Sequence, residues 1–377
     1  MSPTSDNRFT WLVTGTCAFE RALAAIDSAR ASIDLEIYIF ADDETGRAFR
    51  EHLVAAANRR VQVRVLVDSF GSIALADSFW QPLRAAGGEV RWFNPLQLDR
   101  FAFRNHRKML VCDVAVGFIG GFNISQDYAG DGVTRGWRDL GLEIRGPAVT
   151  MLQLAFASSW HNAGLRHVRI PQFRRSHARA ALQGHQCELL LSGPGRNSNF
   201  IQRQLLNDLH RAREVDIMVA YFLPTLRLRN ALKRVVRRGG RVRMILAGKS
   251  DVPMSQDAAR SFYGRLLRAD LEIWEYQPQI LHAKIIVIDD VVYVGSSNLD
   301  TRSLQINYEL MLRVKDAPLA AEARALLEND RQHSEQVTRA AWRERQTLWS
   351  RIRQRWAHFL FARIDMYFAR RQMKLLR

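Results

Sequence analysis

Apolar and polar positions alternate between two rhythms along this chain. A helical rhythm in "FERALAAIDSARA" leads into the strand-like run "SIDLEIYIFA". "AFREHLVAAANRR" then leads into "VQVRVLVDSFG", and a further helical stretch into "GEVRWFN". The order recurs after residue 186: "FIQRQLLNDLHRARE" with "VDIMVAYFLP", "RNALKRVVRRGG" with "RVRMILAG", and a last strand "LEIWEY". Strands alternating with helical segments of ten or more residues predict layered α/β sheets. The repeat of the whole order predicts a duplicated domain. The polar, basic stretch 167–186, "HVRIPQFRRSHARAALQGHQ", breaks the rhythm and reads as the connection between halves 1–166 and 187–325. Residues 326–377 read as a basic helical tail.

Each half ends its repeat on one sentence of chemistry. The first is "NHRKMLVCDVAVGFIGGFNIS" and the second "LHAKIIVIDDVVYVGSSNLD". His106 and His282 stand 176 positions apart, Asn123 and Asn298 175. On a strand, His106 and Lys108 share a face, as do His282 and Lys284. Imidazole can attack phosphorus or move a proton, and an ammonium beside it offsets charge on phosphoryl oxygens. The turns "GGFN" and "GSSN" let backbone approach a ligand and offer the amides of Asn123 and Asn298. A reactive histidine needs a carboxylate to fix its tautomer. Asp139 in "GWRDLGLEI" and Glu309 in "INYELML" are the candidates, one downstream in each half. Asp113 and Asp289 complete the motifs at the strand ends, where holding the turn or the motif lysine is the expected work. A single His-x-Lys is more often a solvated edge, a single Gly-Ser-x-Asn a turn. Recurrence of the full set in both halves favours catalysis. Metal ligation by the histidines is disfavoured, because a lysine beside each repels a divalent cation.

Charge narrows the partners without choosing between them. Lys and Arg total 55 against 38 Asp and Glu, a formal +17. Such an excess favours polyanions, nucleic acid or an anionic membrane. Cys17, Cys112 and Cys187 have neither paired nor zinc-ligand spacing, which suits a reducing compartment. No leader pattern and no run of about 18 apolar residues is evident, so the expected membrane contact is peripheral.

The paired HxKxxxxD and G[GS]xN sentences resemble the phospholipase D superfamily. "ADDETGRAF", "AYFLP", "GKSDVP", "EYQPQILHAKIIVIDD", "VGSSNLDTRSLQINYE" and "FIGGFNISQDYAG…WRD" further resemble bacterial cardiolipin synthases, the B-type branch especially, over roughly residues 12–325. The resemblance implies a duplicated phospholipase D-like fold: two mixed-sheet α/β halves, helices on both faces, around one pseudo-twofold active site. It implies a phosphatidyltransferase that uses no metal or other cofactor and works through a phosphohistidine. Cardiolipin would form from phosphatidylglycerol and a second phospholipid. By family tendency His106 is the nucleophile and His282 the acid/base, a choice the sequence itself leaves open. Lys108, Lys284, Asp113 and Asp289 would complete the catalytic set; Asn123, Ser296 and Asn298 would bind substrate; Asp139 and Glu309 would orient the histidines. Gly121 and Phe122 stand where Ser296 and Ser297 stand, so Ser296 would donate a hydrogen bond that the first half lacks. Asp139 lies 33 residues after His106 but Glu309 only 27 after His282. The implied partners are an anionic phospholipid and the cytoplasmic face of the cell membrane, with no nucleic acid; oligomeric state stays open. The alternative is a hydrolytic phospholipase D, or a phosphodiesterase or nuclease of the same superfamily, although its small nucleases usually carry one motif per chain. A non-catalytic scaffold is disfavoured by two intact motifs.

In the tail, Trp349, Ile352, Trp356, Leu360, Ile364 and Tyr367 follow helical spacing, with Arg351, Arg355 and His358 opposite. Residues 341–377 carry ten Arg and Lys against two acids. That pattern predicts an interfacial helix anchored by Trp342, Trp349 and Trp356. Packing on its own domain, or on a second copy, is the competing expectation.

Overall fold

The structure is a computed structural model that describes residues 6–94, 103–164, 181–184, 186–194 and 199–360. The first half supplies strands β1 (Arg8–Leu12), β2 (Ser32–Ile37), β3 (Gln62–Asp68), β4 (Glu89–Phe93), β5 (Met109–Cys112), β6 (Val116–Gly120) and β7 (Gly141–Arg145). They form one sheet in the order β1-β7-β6-β5-β2-β3-β4. The second half supplies β8 (Ala181–Gln183), β9 (Cys187–Ser192), β10 (Glu214–Val219), β11 (Phe222–Leu223), β12 (Arg241–Ala247), β13 (Glu272–Tyr276), β14 (Lys284–Ile288), β15 (Val291–Gly295), β16 (Leu299–Asp300), β17 (Glu309–Lys315) and β18 (Ser334–Gln336). Its sheet runs β18-β13-β12-β10-β14-β15-β17-β9-β8, and β11 pairs with β16 apart from it. In each sheet three strands joined through helices are parallel, β2-β3-β4 and β10-β12-β13. The motif strands β5 and β14 add antiparallel to the first of each trio.

Alternation along the motif strands explains how the sheets stack. Met109 and Val111 point one way, into a core shared with Ile285, Val287, Val292 and Val294 of the other half. Leu110 and Cys112 point the other way, onto the apolar faces of helices Gly15–Ser28 and Glu44–Asn58. In the second half Ile286 and Ile288 do the same against helices Phe200–Leu209 and Leu226–Arg237. The two sheets thus meet face to face with helices outside. Helices Ala148–Gly164 and Ala317–Gln332 add Leu152, Phe156, Ala323 and Leu327 to the shared core. Thr14, Asp43, Thr225 and Asp316 cap their helices by accepting from the third residue on.

The proposed connection and tail need different borders. Residues 167–180 and 185 of the expected linker lie outside the described residues. Ala181–Gln183 is already an edge strand of the second sheet. The tail likewise starts later than residue 326. Leu327 and Asp330 are buried, and Ser334–Gln336 pairs with β13. Helices Arg339–Arg345 and Leu348–Phe359 follow. Trp342 packs on Tyr263 with ring centroids 5.0 Å apart, so it is no membrane anchor. Residues 361–377, with Ile364 and Tyr367, lie outside the described residues.

Candidate active site

Neither histidine lies within a strand as the alternation argument expects. β5 begins at Met109 and β14 at Lys284, and each histidine sits just before, in a segment that crosses to the other half. The His106 N–H donates to the Tyr308 carbonyl at 2.9 Å, and the His282 N–H to that of Arg138 at 2.8 Å. Bridges Asn105–Tyr308 and Arg138–Leu281 lace the halves together. Arg138 is anchored by paired 2.7 Å bonds to Asp330.

That lacing decides which carboxylate meets which imidazole. Tyr308 precedes Glu309 and Arg138 precedes Asp139, so each histidine is delivered to the carboxylate of the opposite half. Glu309 Oε2 lies 3.0 Å from His106 Nδ1, and Asp139 Oδ2 lies 2.7 Å from His282 Nδ1. The sequence had placed one carboxylate downstream of each histidine; the structure exchanges them. The unequal spacings after the motifs therefore carry no penalty for Asp139.

The lysines close the arrangement. Lys108 Nζ donates to the His106 carbonyl at 2.8 Å, and Lys284 Nζ binds the His282 carbonyl and approaches His282 Nδ1 at 2.7 Å. Burial, then the charge of Lys284, pushes Lys108 well below the ordinary lysine value; burial brings Lys284 down to about 8. Burial likewise lowers His106 to about 4 despite Glu309, and lowers His282 with help from both lysines. Two buried cations and two buried histidines facing one another form a place where an anion is stabilised.

The carboxylates differ. Burial raises Asp139 to about 7, although Lys284 and the Leu140 amide oppose it. Glu309 is equally buried, yet His106, Lys108 and the Ser296 hydroxyl hold it below the usual range. Ser296 Oγ donates to Glu309 Oε2 at 2.5 Å and accepts from Leu310 N at 3.0 Å. Gly121 stands at the equivalent place, where a Cβ would lie 2.2 Å from Asp139 Oδ1.

The remaining motif residues divide into two groups. Asp113 and Asp289 are not beside the histidines or lysines: each ends its strand five positions beyond the lysine, ~16 Å along an extended chain. Asp113, at φ +54°, accepts from the amides of Arg30, Ala31 and Ser32 at 2.8–2.9 Å. Asp289, at φ +48°, accepts from Arg213 and Glu214 at 3.0 and 2.9 Å. They clamp the entry of β2 and β10 and do not touch the motif lysines, so the catalytic grouping does not include them. Asn123 and Asn298 reach the exit of the same strands, accepting from Ile39 N at 3.2 Å and Tyr221 N at 3.3 Å. Asn123 also donates to Tyr128 Oη at 2.7 Å. Ser297 is turned to the Asn298 carbonyl.

Aromatic residues frame the histidines, and Tyr128 and Trp137 among them were not expected from the motifs. Tyr38 packs edge-on against His106 at 4.8 Å. Tyr128 and Trp137 pack against His282 at 5.2 and 5.5 Å, with Tyr128 Oη 3.4 Å from the ring nitrogens. Both residues lie within the quoted stretch "SQDYAG…WRD", which was the available signal.

A family model described as cardiolipin synthase, PLD-like domain, matches residues 22–159 and 204–331. Cardiolipin synthase A of Pseudomonas putida F1 is 34% identical over 89% of this chain and 70% of its own length. The major cardiolipin synthase ClsA of Bacillus subtilis strain 168 is 33% identical over 93% and 74%. The B-type likeness rests on the flanking words alone. Among solved structures, phosphatidylserine synthase of Haemophilus influenzae Rd KW20 superposes with a TM-score of 0.76 over 96% of this chain and 94% of that one, at 15% identity, a likeness of fold. With the matched model spanning both halves and the paired histidines at their seam, the chain belongs to the cardiolipin synthase family of phospholipase D-like proteins.

Proposed function

We propose that the chain makes cardiolipin by passing a phosphatidyl group from one phospholipid to the head-group hydroxyl of phosphatidylglycerol. The observation that carries this reading is the crossed pair of His–carboxylate sets at one seam, with both lysines between them. In the first step His106 Nε2 attacks phosphorus, the bond to the leaving alcohol breaks, and His282 gives that oxygen a proton. In the second, His282 takes the proton of the acceptor hydroxyl, the hydroxyl oxygen attacks phosphorus, and the P–N bond breaks. Lys108 and Lys284 offset charge on the non-bridging oxygens, the task a divalent cation performs in other phosphoryl-transfer sites. Glu309, held ionised, suits a fixed partner for the nucleophile. Asp139, held up to about 7, suits a partner whose histidine must pick up and release a proton near neutrality. Mass spectrometry of lipids from a cardiolipin-null host tests the reading. Cardiolipin should appear with the intact chain and not with His106→Ala. Phosphatidic acid without cardiolipin would favour the hydrolytic alternative.

The docking surface we assign is the outer side of helix Leu348–Phe359. Gln354 and Ala357 face the domain, where Ala357 meets Leu223 and Ala258. Arg353 pairs with Asp257 at 2.9 Å. Packing on the domain and presenting an interface are thus not exclusive. Leu348, Trp349, Ile352, Trp356 and Phe359 remain exposed, Trp349 at 80%, and Met254 and Val252 are exposed on the helix that it packs against and the residue before it. Exposed tryptophans flanked by Arg351 and Arg355 suit an anionic bilayer. Among the described residues no helix is long and apolar enough to cross a membrane. Trp349→Ser with Trp356→Ser should weaken co-sedimentation with phosphatidylglycerol vesicles at least fivefold. Unchanged binding would remove this face from the account.

A further inference from the structure

The two histidines differ in a hydroxyl at the edge of the ring. Tyr128 Oη stands equidistant from Nδ1 and Nε2 of His282, at 3.4 Å from each. Among the described residues no phenol meets the nitrogens of His106 in this way. Tyr38 packs its ring there, and its Oη accepts from Arg104 at 3.5 Å. The repeat explains the difference. Ile39 N and Tyr221 N donate to Asn123 and Asn298 alike, so Tyr38 corresponds to Ala220. By the 175-residue offset of the asparagines, Tyr128 corresponds to Ser303, whose hydroxyl donates to Asp300 at 3.2 Å in its own segment. His282 therefore takes its tyrosine from the opposite half, as it takes its carboxylate.

The proton of that phenol has a direction. Asn123 Oδ1 accepts from Ile39 N at 3.2 Å, which turns the amide nitrogen toward Tyr128, and Nδ2 donates to Oη at 2.7 Å. Oη is the acceptor in that bond, and its own O–H must be given elsewhere. Tyr128 is 1% exposed, so solvent does not compete for that proton. The nitrogens of His282 are the acceptors within reach among the described residues. Nδ1 already faces Asp139 and Lys284, each at 2.7 Å, which leaves Nε2. Closing to an ordinary hydrogen bond asks a shift of about 0.5 Å, and such bonds are often long before substrate enters. Trp137 steadies both rings, 4.9 Å from Tyr128 and 5.5 Å from His282. Burial and the charge of Asp139 keep the phenol well above its ordinary value, so it donates without ionising.

We propose that Tyr128 is a positioning residue for proton transfer by His282: its hydroxyl donates to Nε2 when that nitrogen is without a proton, and turns away when the nitrogen regains one. In the first step Nε2–H passes its proton to the leaving oxygen, and the phenol stabilises the neutral imidazole left behind. In the second, the acceptor hydroxyl displaces the phenol and gives Nε2 its proton; its oxygen attacks phosphorus as the P–N bond breaks. No proton leaves Tyr128 at either step. A phenol on His106 would instead occupy the lone pair that attacks phosphorus. Resting on the transfer reading above, the phenol supplies the reason that the repeat itself lacks for making His106 the nucleophile and His282 the acid.

The test compares the full chain with Tyr128→Phe, which keeps the ring packing. Two donor lipids are used: phosphatidylglycerol, whose leaving alcohol needs a proton, and phosphatidyl-p-nitrophenol, whose leaving phenolate does not. Release of glycerol relative to release of nitrophenol should fall about fivefold in the variant, the loss of one net hydrogen bond. An unchanged ratio overturns the role, whether both rates hold or both fall, since loosened packing slows the two alike. The basic limb of phosphatidylglycerol cleavage should move up by about half a pH unit, because a neutral Nε2 without its donor holds a proton more tightly. Asp139, Lys284, Lys108, His106 and Asp251 also bear on the charge of His282, and the substitution alters none of them. A ring-fluorinated tyrosine at position 128, a stronger donor of nearly the same shape, should move the limb down, and it decides the matter if Tyr128→Phe does not fold. A limb that stays in place with the fluorinated ring overturns the role. If the unaltered chain yields phosphatidic acid and no cardiolipin, the transfer reading fails, and the ratio and the limb still decide Tyr128, because hydrolysis shares the first step.

Discussion

His106 and His282 hold equivalent places in two copies of one fold, yet their surroundings have diverged. His106 leans on a glutamate that takes a serine hydroxyl and lies below the usual carboxyl range. His282 leans on an aspartate that has a bare glycine behind it and is raised to about 7. Among the described residues, one aromatic ring, Tyr38, packs on the first histidine; two, Tyr128 and Trp137, pack on the second. Duplication supplied two identical sets of reactive groups, and the supporting residues made them unlike. A two-step transfer asks for that, because one histidine must carry a phosphorus and the other a proton.

The largest expected effect breaks the comparison outright. His106→Ala and His282→Ala should each lower turnover by about 10²–10⁴-fold or more, since one role cannot cover the other. Labelled phospholipid should leave a covalent phospho-enzyme on the His282 variant and none on the His106 variant. Label persisting on His106→Ala would reverse the roles. Near-full activity in either would end the two-histidine scheme.

Replacing the carboxylates by their amides sharpens it. Asp139→Asn and Glu309→Gln should both cut activity by about 10²–10³-fold, because an amide leaves the tautomer of its histidine unfixed. Their effects on stability should have opposite signs. Asp139 titrates near 3.9 when unfolded and at about 7 when folded. Its stabilising contribution is complete below the unfolded value and is lost as pH rises through 7. Asp139→Asn should therefore raise Tm at pH 8 and give no gain at pH 4. Glu309 is held low, so its contribution is present above the unfolded value and lost as pH falls through the folded one. Glu309→Gln should lower Tm at pH 8. Thermal melts at the two pH values check both, and a shared sign would show that the two sites are not electrostatically distinct.

Most of the fold was legible because each helix and strand of the repeat satisfies its own local rules. Apolar alternation marked β2, β3, β10 and β12, and Thr14 and Asp43 are conventional caps. Short edges such as β1 and β18 were not legible, since their pairing is supplied by a distant partner. The histidines, lysines and both carboxylates were named from the motif, but their pairing was hidden. Which carboxylate meets which imidazole depends on main-chain bonds between residues about 200 positions apart, such as His106 N to Tyr308 O. Asp113 and Asp289 share the motif with the reactive groups, but motif membership does not say which end of a strand faces the site.

Smaller substitutions test how the residues behind the two carboxylates, Gly121 and Ser296, keep the two histidine sites unlike. Gly121→Ala places a Cβ 2.2 Å from Asp139 Oδ1 and 2.7 Å from its Cγ. Neither the carboxylate nor the β6 backbone can yield without loosening the 2.7 Å bond to His282. A displacement near 1 Å in such a site costs on the order of 10²-fold in rate. The loss should fall on turnover with little change in substrate affinity, as steady-state kinetics on vesicles would reveal. The counterpart change, Ser296→Ala, should be milder. It removes the 2.5 Å hydroxyl bond to Glu309 and leaves the Leu310 amide without that acceptor. However, Glu309 keeps His106 at 3.0 Å and Asn307 at 3.3 Å, so the imidazole stays oriented. About a fivefold loss is expected, the ~1 kcal/mol of a typical net hydrogen bond and below the usual range for one to a charged group, because the other partners of Glu309 remain. The lost donor also frees Glu309 to move toward the ordinary carboxyl range, so the acidic limb of the rate profile should shift to higher pH. If Ser296→Ala proves as damaging as Gly121→Ala, the serine is part of the phosphate-binding surface and not only a support for Glu309, and the first half would then lack a substrate contact that the second half has.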